Sequence, residues 1–493
     1  MTLDPELETM RREIEGYAKE FGLDYFDIIF EMVDFDTMNQ IAAYDGFPVR
    51  YPHWRFGMEY NRLSKAYSYG LQKIYELIIN TDPCYAYLMN CNRLTDQKMV
   101  MAHVYGHSDF FKNNACFAHT NRKMMDVMAN HGTQIRKYIE RYGEEQVESF
   151  LDTALSLENL IDYQNLHVKR YEKNTYRVDE DAAEDQPNFR LKSKPHMEKY
   201  INPQEYLDEQ QNKHAAEQRR RKESFPPEPV RDILLFLMNH AQLENWQVEV
   251  LSIVRDEALY FAPQRQTKIM NEGWASYWHS TIMTTRAATA AEIIDYADVH
   301  SGTVAMGKSL NPYKIGLELY RDIEDRWNKG RFGKEWEECN SYEEKRNWDK
   351  QLGLGRKKIF EVRKVYNDLM FLDEFLTMEF CEQYKLFTFE YNNDHKQYEI
   401  ASRQFEEIKA KLLQQLTNFG EPLIEIIDAN HDNRGELYLR HTHSGVDLKM
   451  DYAQDTLQNL YKVWKRPVNL ETRYDDRDRL LSFDGKEHSN RSL

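Results

Sequence analysis

A chain of 493 residues is longer than one hydrophobic core usually serves, so two or more domains are expected. An apolar fraction of 41%, with 32 Tyr, 24 Phe and 8 Trp, excludes a disordered protein despite a mean hydropathy of -0.78. The net charge of -17 excludes general binding to nucleic acid or to anionic lipid, which carry the same sign.

The N-terminus, MTLDPELETMRREIEGYAKEFGLD, is charged and lacks the apolar centre of a signal peptide. No run approaches the ~20 apolar residues of a membrane helix. A cytoplasmic protein with no integral membrane segment is therefore expected. The five cysteines, an odd count without CxxC spacing, read as reduced thiols and argue against a thiolate zinc site.

Residues 5 to 34 predict one or two amphipathic helices, with Leu7, Met10, Ile14, Tyr17 and Phe21 in a stripe. The aromatic stretch FPVRYPHWRFGMEYNRLSKAYSYG predicts a loop pinned by its rings, broken by Pro48 and Pro52. Helices follow over 96–112, 121–142 and 144–168. From 173 to 229 the chain turns polar and charged, which predicts an insertion or linker with a polar helix near 203–223. Its basic run, Arg219 to Lys222, reads as a solvated helix face. RDILLFLMNHAQLENWQVEVLSIVRDEALYF predicts a long helical region ended by Pro263, and a helix restarts near Thr267. HSGTVAMGKSLNPYKIG predicts a loop, followed by helices from 317 to 384.

Near Lys385 the period switches to alternation. KLFTFEY, EPLIEIID, GELYLRHTH and VDLKMDY predict strands, with a hairpin turn at Ser444-Gly445 and VNLETR as a last strand. Residues 476–493 predict a loose tail. The fold expected is α+β: a large, mainly helical N-terminal region in two parts, 1–172 and 230–384, and a small α+β domain over 385–475.

Two blocks carry the chemistry. In AHVYGHSDFFKNN, His103 and His107 are separated by one helical turn and share a face with Met99, Ala102 and Phe110. In MNEGWASYWH, Glu272, Ser276 and His279 share another. Imidazoles and a carboxylate among aromatics need partners, because unpaired buried polar groups are costly. A metal ion is one such partner, and a buried His–Glu hydrogen-bond network is the other. Gly302 to Ser309 formally matches GxxxxGK[ST]. Asn311-Pro312 follows at once where a helix should run, so the match reads as chance and no nucleotide is predicted. His441 and His443 would share one face of a strand and read as solvent-facing.

AHVYGHSDFFKNN, PQRQTKIMNEGWASYWH and NPYKIG resemble the stage V sporulation protein R (SpoVR) family, over roughly residues 5 to 475. The resemblance implies a role in formation of the spore cortex, or in a related envelope or stress programme. It also implies a protein partner, with relatives found beside a serine kinase of the PrkA type. The pair of blocks is further similar to gluzincin metallopeptidases, in which a helical HExxH is completed by a Glu from a later helix. That similarity implies His103, His107 and Glu272 as ligands, with His279 or His240 as a fourth. The ion implied is zinc, with iron or manganese as alternatives. Val104 stands where the catalytic Glu should be, so the usual general base cannot be carried over. Asp109, Glu244 and Glu257 are substitutes, and His240, Glu244, Trp274 and Asp109 are candidate site-lining residues. Two functions stay open: a metal-dependent hydrolase of amide bonds, and a non-catalytic interaction protein working with a PrkA-type kinase.

Overall fold

The computed structural model describes residues 3–68, 76–166, 225–305, 310–392 and 397–493, with 203, 204, 206–208 and 210. The polar segment expected at 173–229, its helix and its basic run lie almost wholly outside the described residues, as do residues 306–309 of the GTVAMGKS string. The fold is α+β, largely helical towards the N-terminus, with a five-stranded sheet towards the C-terminus. Two compact units divide it: Met1–Glu148 with Leu259–Glu421, and Ser149–Ala258 with Pro422–Leu493.

The first part of the chain forms α1 (Pro5–Glu20), β1 (Ile28–Val33), α2 (Phe35–Ala43), α3 (Trp54–Ser68), β2 (Glu76–Ile79), β3 (Cys84–Met89), α4 (Leu94–Asn113), α5 (Met124–Tyr142) and α6 (Glu144–Ser156). Two sequence expectations change here. Residues 28–33 are a strand, because IIFEMV pairs parallel to β3 with Ile28 opposite Cys84. The aromatic stretch is helical from Trp54, and α3 turns Phe56 and Leu63 inward. A proline just before a helix does not interrupt it.

Next come α7 (Ile233–His240), α8 (Asn245–Gln266), α9 (Lys268–Ile282), α10 (Ile293–Thr303), α11 (Pro312–Lys329), α12 (Gly355–Val365) and α13 (Asp368–Phe375). The long helical region expected before Pro263 is two helices, and Pro263 sits inside the last turn of α8. The segment expected as loop is helical at both ends. HSGT closes α10, and NPYKIG opens α11 with Asn311 as N-cap and Pro312 in the first turn. Asn311 Oδ1 accepts from the Tyr313 and Lys314 amides, the role Asn fills at a helix start.

α4 and α9 are the interior of the first unit. Every residue of α4 from Thr95 to Phe111 except half-buried Lys98 is buried, as is all of α9 from Ile269 to Ser280. A helix that is apolar all round has no solvent face and must be enclosed. Accordingly α9 packs between α4 and α11, α11 packs on α12, and α1 packs on α4. Glycines set how close these helices come. A Cβ on Gly106 would lie 2.7 Å from Ala275 Cα, and one on Gly316 would lie 2.1 Å from the Ile269 carbonyl oxygen. The three signature blocks are thus layers of one packed stack.

The chain closes with β4 (Thr388–Asn392), β5 (Gln397–Ser402), α14 (Phe405–Leu416), β6 (Ile424–His431), β7 (Glu436–His441), α15 (Met450–Trp464), β8 (Val468–Tyr474), β9 (Arg477–Phe483) and β10 (His488–Ser492). The β4–β5 pair and α14 belong to the first unit, which runs to Glu421 and whose core takes Ile408. In the second unit, VDLKMDY leads into α15 instead of forming a strand, and Ser444-Gly445 is no hairpin turn. The β6–β7 and β8–β9 hairpins turn at Asp432-Asn433 and Asp475-Asp476, all four with positive φ. Residues 477–483 and 488–492 are strands, so the expected tail is the edge of a sheet ordered β10-β9-β8-β7-β6. Leu480, Leu481 and Phe483 are buried there, and α15 packs on β8 and β9.

Candidate metal centre

α9 starts where it does because Asp368 caps it. Its carboxylate oxygens accept from the Ile269 and Met270 amides at 2.7 and 2.8 Å. Negative charge at a helix N-terminus is favourable. Burial nonetheless pushes the Asp368 carboxyl up to about 7, with the two amides opposing the rise. The cap places Glu272 one turn into α9, facing the His103 and His107 side of α4.

The three side chains meet. His103 Nε2 and His107 Nε2 each stand 3.5 Å from Glu272 Oε2, and all three residues are buried. Charge-assisted hydrogen bonds run ~2.7–2.9 Å, so 3.5 Å is not that contact. It matches the edge of a tetrahedron around an ion with bonds of ~2.0–2.2 Å, for which ligand atoms would sit about 3.3–3.6 Å apart. Glu272 Oε2 is buried and makes no hydrogen bond. Among the described residues, these three form the one group of acidic, His or Cys side chains whose ligand atoms cluster in this way.

The surrounding contacts orient each of the three side chains. His107 Nδ1 lies 2.8 Å from Asn271 Oδ1, an acceptor that puts the ring proton on Nδ1 and the lone pair of Nε2 towards Glu272. His103 Nδ1 lies 2.8 Å from His279 Nδ1. Lys268 is exposed at the surface, yet its ammonium donates to Glu272 Oε1 at 2.6 Å. Glu272 is therefore one side chain from solvent. Burial raises the Glu272 carboxyl, but the Lys268 charge and the two imidazoles outweigh it and hold it well below the usual range. Lys268 is raised in turn by Glu272, against its own desolvation. Burial, aided by His107, lowers His103 to about 4, with Glu272 opposing. Glu272 is thus ionised and His103 neutral at neutral pH, the protonation states a metal requires.

The other candidates fall elsewhere. His279 Nδ1 meets His103 and its Nε2 lies 2.9 Å from His300 Nδ1, so both ring nitrogens are engaged away from Glu272. Asp109 is buried and accepts from Trp274 Nε1 at 2.7 Å and from the Asp24 amide at 2.8 Å, with Arg363 at 3.2 Å. Burial raises its carboxyl to about 6, with Arg363 opposing. Trp274 packs against Tyr320 and Phe360 in the core. His240 and Glu244 belong to the second unit. His240 lies against Phe225 and Phe236, and Glu244 accepts from Trp246 Nε1. Glu257, in the same unit, is buried. His441, on β7, is buried and its Nδ1 lies 2.9 Å from Thr472 Oγ1, while His443 Nε2 lies 2.9 Å from Asp447 Oδ1. Sequence reasoning missed Lys268, Asn271 and His300. The first two stand one turn before Glu272 and next to it, but helical spacing alone does not say that an ammonium will turn inward.

Among the described residues no helix is long and apolar enough to cross a membrane. The family described as SpoVR like protein matches residues 3–421, and the SpoVR-like C-terminal domain matches 422–475. The uncharacterized protein YcgB of Escherichia coli (strain K12) is 30% identical over 519 residues, which cover 95% of this chain and 92% of YcgB. No solved structure matches the chain. Both matches span the three signature blocks that α4, α9 and α11 stack together, and the chain belongs to the SpoVR-like family.

Proposed function

We propose that this protein is a metal-dependent hydrolase whose ion is held by His103, His107 and Glu272, with zinc the preferred ion and iron or manganese the alternatives. The observation that carries the reading is the convergence of two imidazole nitrogens on a buried carboxylate oxygen that makes no hydrogen bond. Three protein ligands leave a coordination position for water or a carbonyl oxygen, the pattern of catalytic and not structural zinc. An ion there would supply Lewis acidity and lower the pKa of bound water. To hold an ion, His103 and His107 would each present an Nε2 lone pair to the centre, Asn271 and His279 hold the rings, and Lys268 keeps Glu272 ionised with Oε2 turned inward. Val104 is buried in α4 at the position of the usual base and has no group to take a proton, so an ion held there would acidify bound water without a base from that position. Amide bonds are the substrate class, in keeping with the cortex or envelope role that the family resemblance implies.

The test is elemental analysis of untagged protein, paired with thermal unfolding. Wild type should carry about one ion per chain, and the His103→Ala, His107→Ala double variant none. Wild type that is metal-free, melts unchanged in chelator and gains nothing from zinc, manganese or iron would remove the enzyme. The interaction protein working beside a PrkA-type kinase would then stand.

A further inference from the structure

His103, His279 and His300 form one row of imidazoles. Nδ1 of His103 meets Nδ1 of His279 at 2.8 Å, and Nε2 of His279 meets Nδ1 of His300 at 2.9 Å. The row runs from the buried centre to half-buried His300, whose ring stacks on Tyr296 with centroids 5.5 Å apart. Two direct ring–ring contacts of 2.8 and 2.9 Å each require one N–H facing one lone pair, and the row is enclosed in the core at its inner end, so each ring is taken as neutral with one N–H and one lone pair.

A row of neutral imidazoles has only two proton orders. Each ring–ring contact holds one proton, so a choice at one end dictates every ring. In the inward order His103 carries Nε2–H towards Glu272 Oε2, and its Nδ1 accepts from His279 Nδ1–H. His279 Nε2 then accepts from His300 Nδ1–H. In the outward order His103 presents a lone pair at Nε2 and donates from Nδ1 to His279 Nδ1. His279 donates from Nε2 to His300 Nδ1, and His300 carries its proton on Nε2.

A metal ligand must present a lone pair, so only the outward order is compatible with coordination at His103 Nε2. The anionic Glu272 favours the inward order when Nε2 is not coordinated. We propose that metal binding at His103 Nε2 reverses the proton order of the row, moving the proton of His300 from Nδ1 to Nε2. His279 and His300 are then positioning residues for His103, and His300 reports occupancy of the centre towards the surface. The step balances. One proton leaves His103 Nε2, one enters at His300 Nε2, each of the two shared protons crosses its own hydrogen bond, and all three rings stay neutral.

The inference rests on the metal reading above, and its test separates the two. Full-length protein with 15N-labelled histidine is titrated with zinc, with binding followed by calorimetry and ring nitrogens by NMR. The His300→Gln variant assigns the His300 signals. On zinc binding, His300 Nδ1 should move from the range of a protonated nitrogen to that of an unprotonated one, with Nε2 moving oppositely. His279→Phe should bind zinc about tenfold more weakly and leave the His300 signals unmoved. His300→Phe, at a half-buried position, provides a second break in the row with a similar loss of affinity. If zinc binds and His300 keeps its tautomer, the proton-order proposal falls and the metal centre stands. If zinc, manganese and iron all fail to bind, both fall.

Discussion

Gly273 of α9 and Gly316 of α11 meet backbone to backbone, so that a Cβ on Gly273 would fall 2.4 Å from both the Cα and the carbonyl carbon of Gly316. Neither partner is a side chain that could swing away. Glu272, Gly273's immediate neighbour, is therefore positioned by a rigid helix contact.

Gly316→Ala should destabilise the protein by about 1–3 kcal/mol, because the added carbon meets the Ile269 carbonyl and forces the helices apart. Gly16→Ala in α1 is the control, since nothing lies within 4 Å of its Cβ position. It should be stabilising by about 0.5–1 kcal/mol, the ordinary gain of Ala over Gly in a helix. Urea unfolding of both variants checks the pair, and equal effects would remove the close-packing account.

His103 makes stability depend on pH. Its folded pKa of about 4 lies below the ordinary 6.5, chiefly through burial. Below 6.5 the unfolded chain takes up a proton that the folded chain does not. The contribution is complete above 6.5 and is lost as pH falls towards 4, by on the order of 3 kcal/mol. In chelator, unfolding free energy of wild type should fall relative to His103→Gln across that window. A difference constant between pH 7 and 4 would contradict the buried neutral imidazole.

Asp109 holds the buried Arg363 and the Trp274 indole, away from the His103–Glu272 contact. Asp109→Asn leaves a buried guanidinium without its counter-charge, which costs about 3–5 kcal/mol. The double variant with Arg363→Met should recover part of that loss. Metal content per folded chain should not change in either. Loss of metal with stability retained would place Asp109 in the site instead.

Ending the chain after Tyr474 removes β9 and β10. β8 then loses its antiparallel partner and the buried Leu480, Leu481 and Phe483, each worth roughly 1.5–3 kcal/mol. The truncated protein should be insoluble or should lose protection of the second unit in limited proteolysis. A fully soluble, equally protected product would mean that residues 475–493 are dispensable.

Local pattern made much of this protein legible from its sequence. The four-residue spacing of His103 and His107 puts both rings on one helix face wherever that helix lies. The alternation after residue 421 marks β6, β7 and β8, and Asn311-Pro312 carries a helix-start signal that an apparent loop concealed. The strands at 477–483 and 488–492 were hidden because Asp475-Asp476 is a less familiar turn than Asn-Gly, and because β10 exposes every side chain.

Tertiary structure alone decided the partners. Period shows which face a side chain shares, but not which residue some 160 to 180 positions away will meet it. His279 shares a helix face with Glu272, yet packing of α9 between α4 and α11 turns its ring to His103 Nδ1 and His300. Asp109 shares α4 with both histidines, yet it points at Trp274 and Arg363. In an enclosed helix every face is buried, so hydrophobicity no longer distinguishes site from scaffold. The distinction comes from hydrogen-bond partners, which exist only once α4, α9 and α11 have closed on one another.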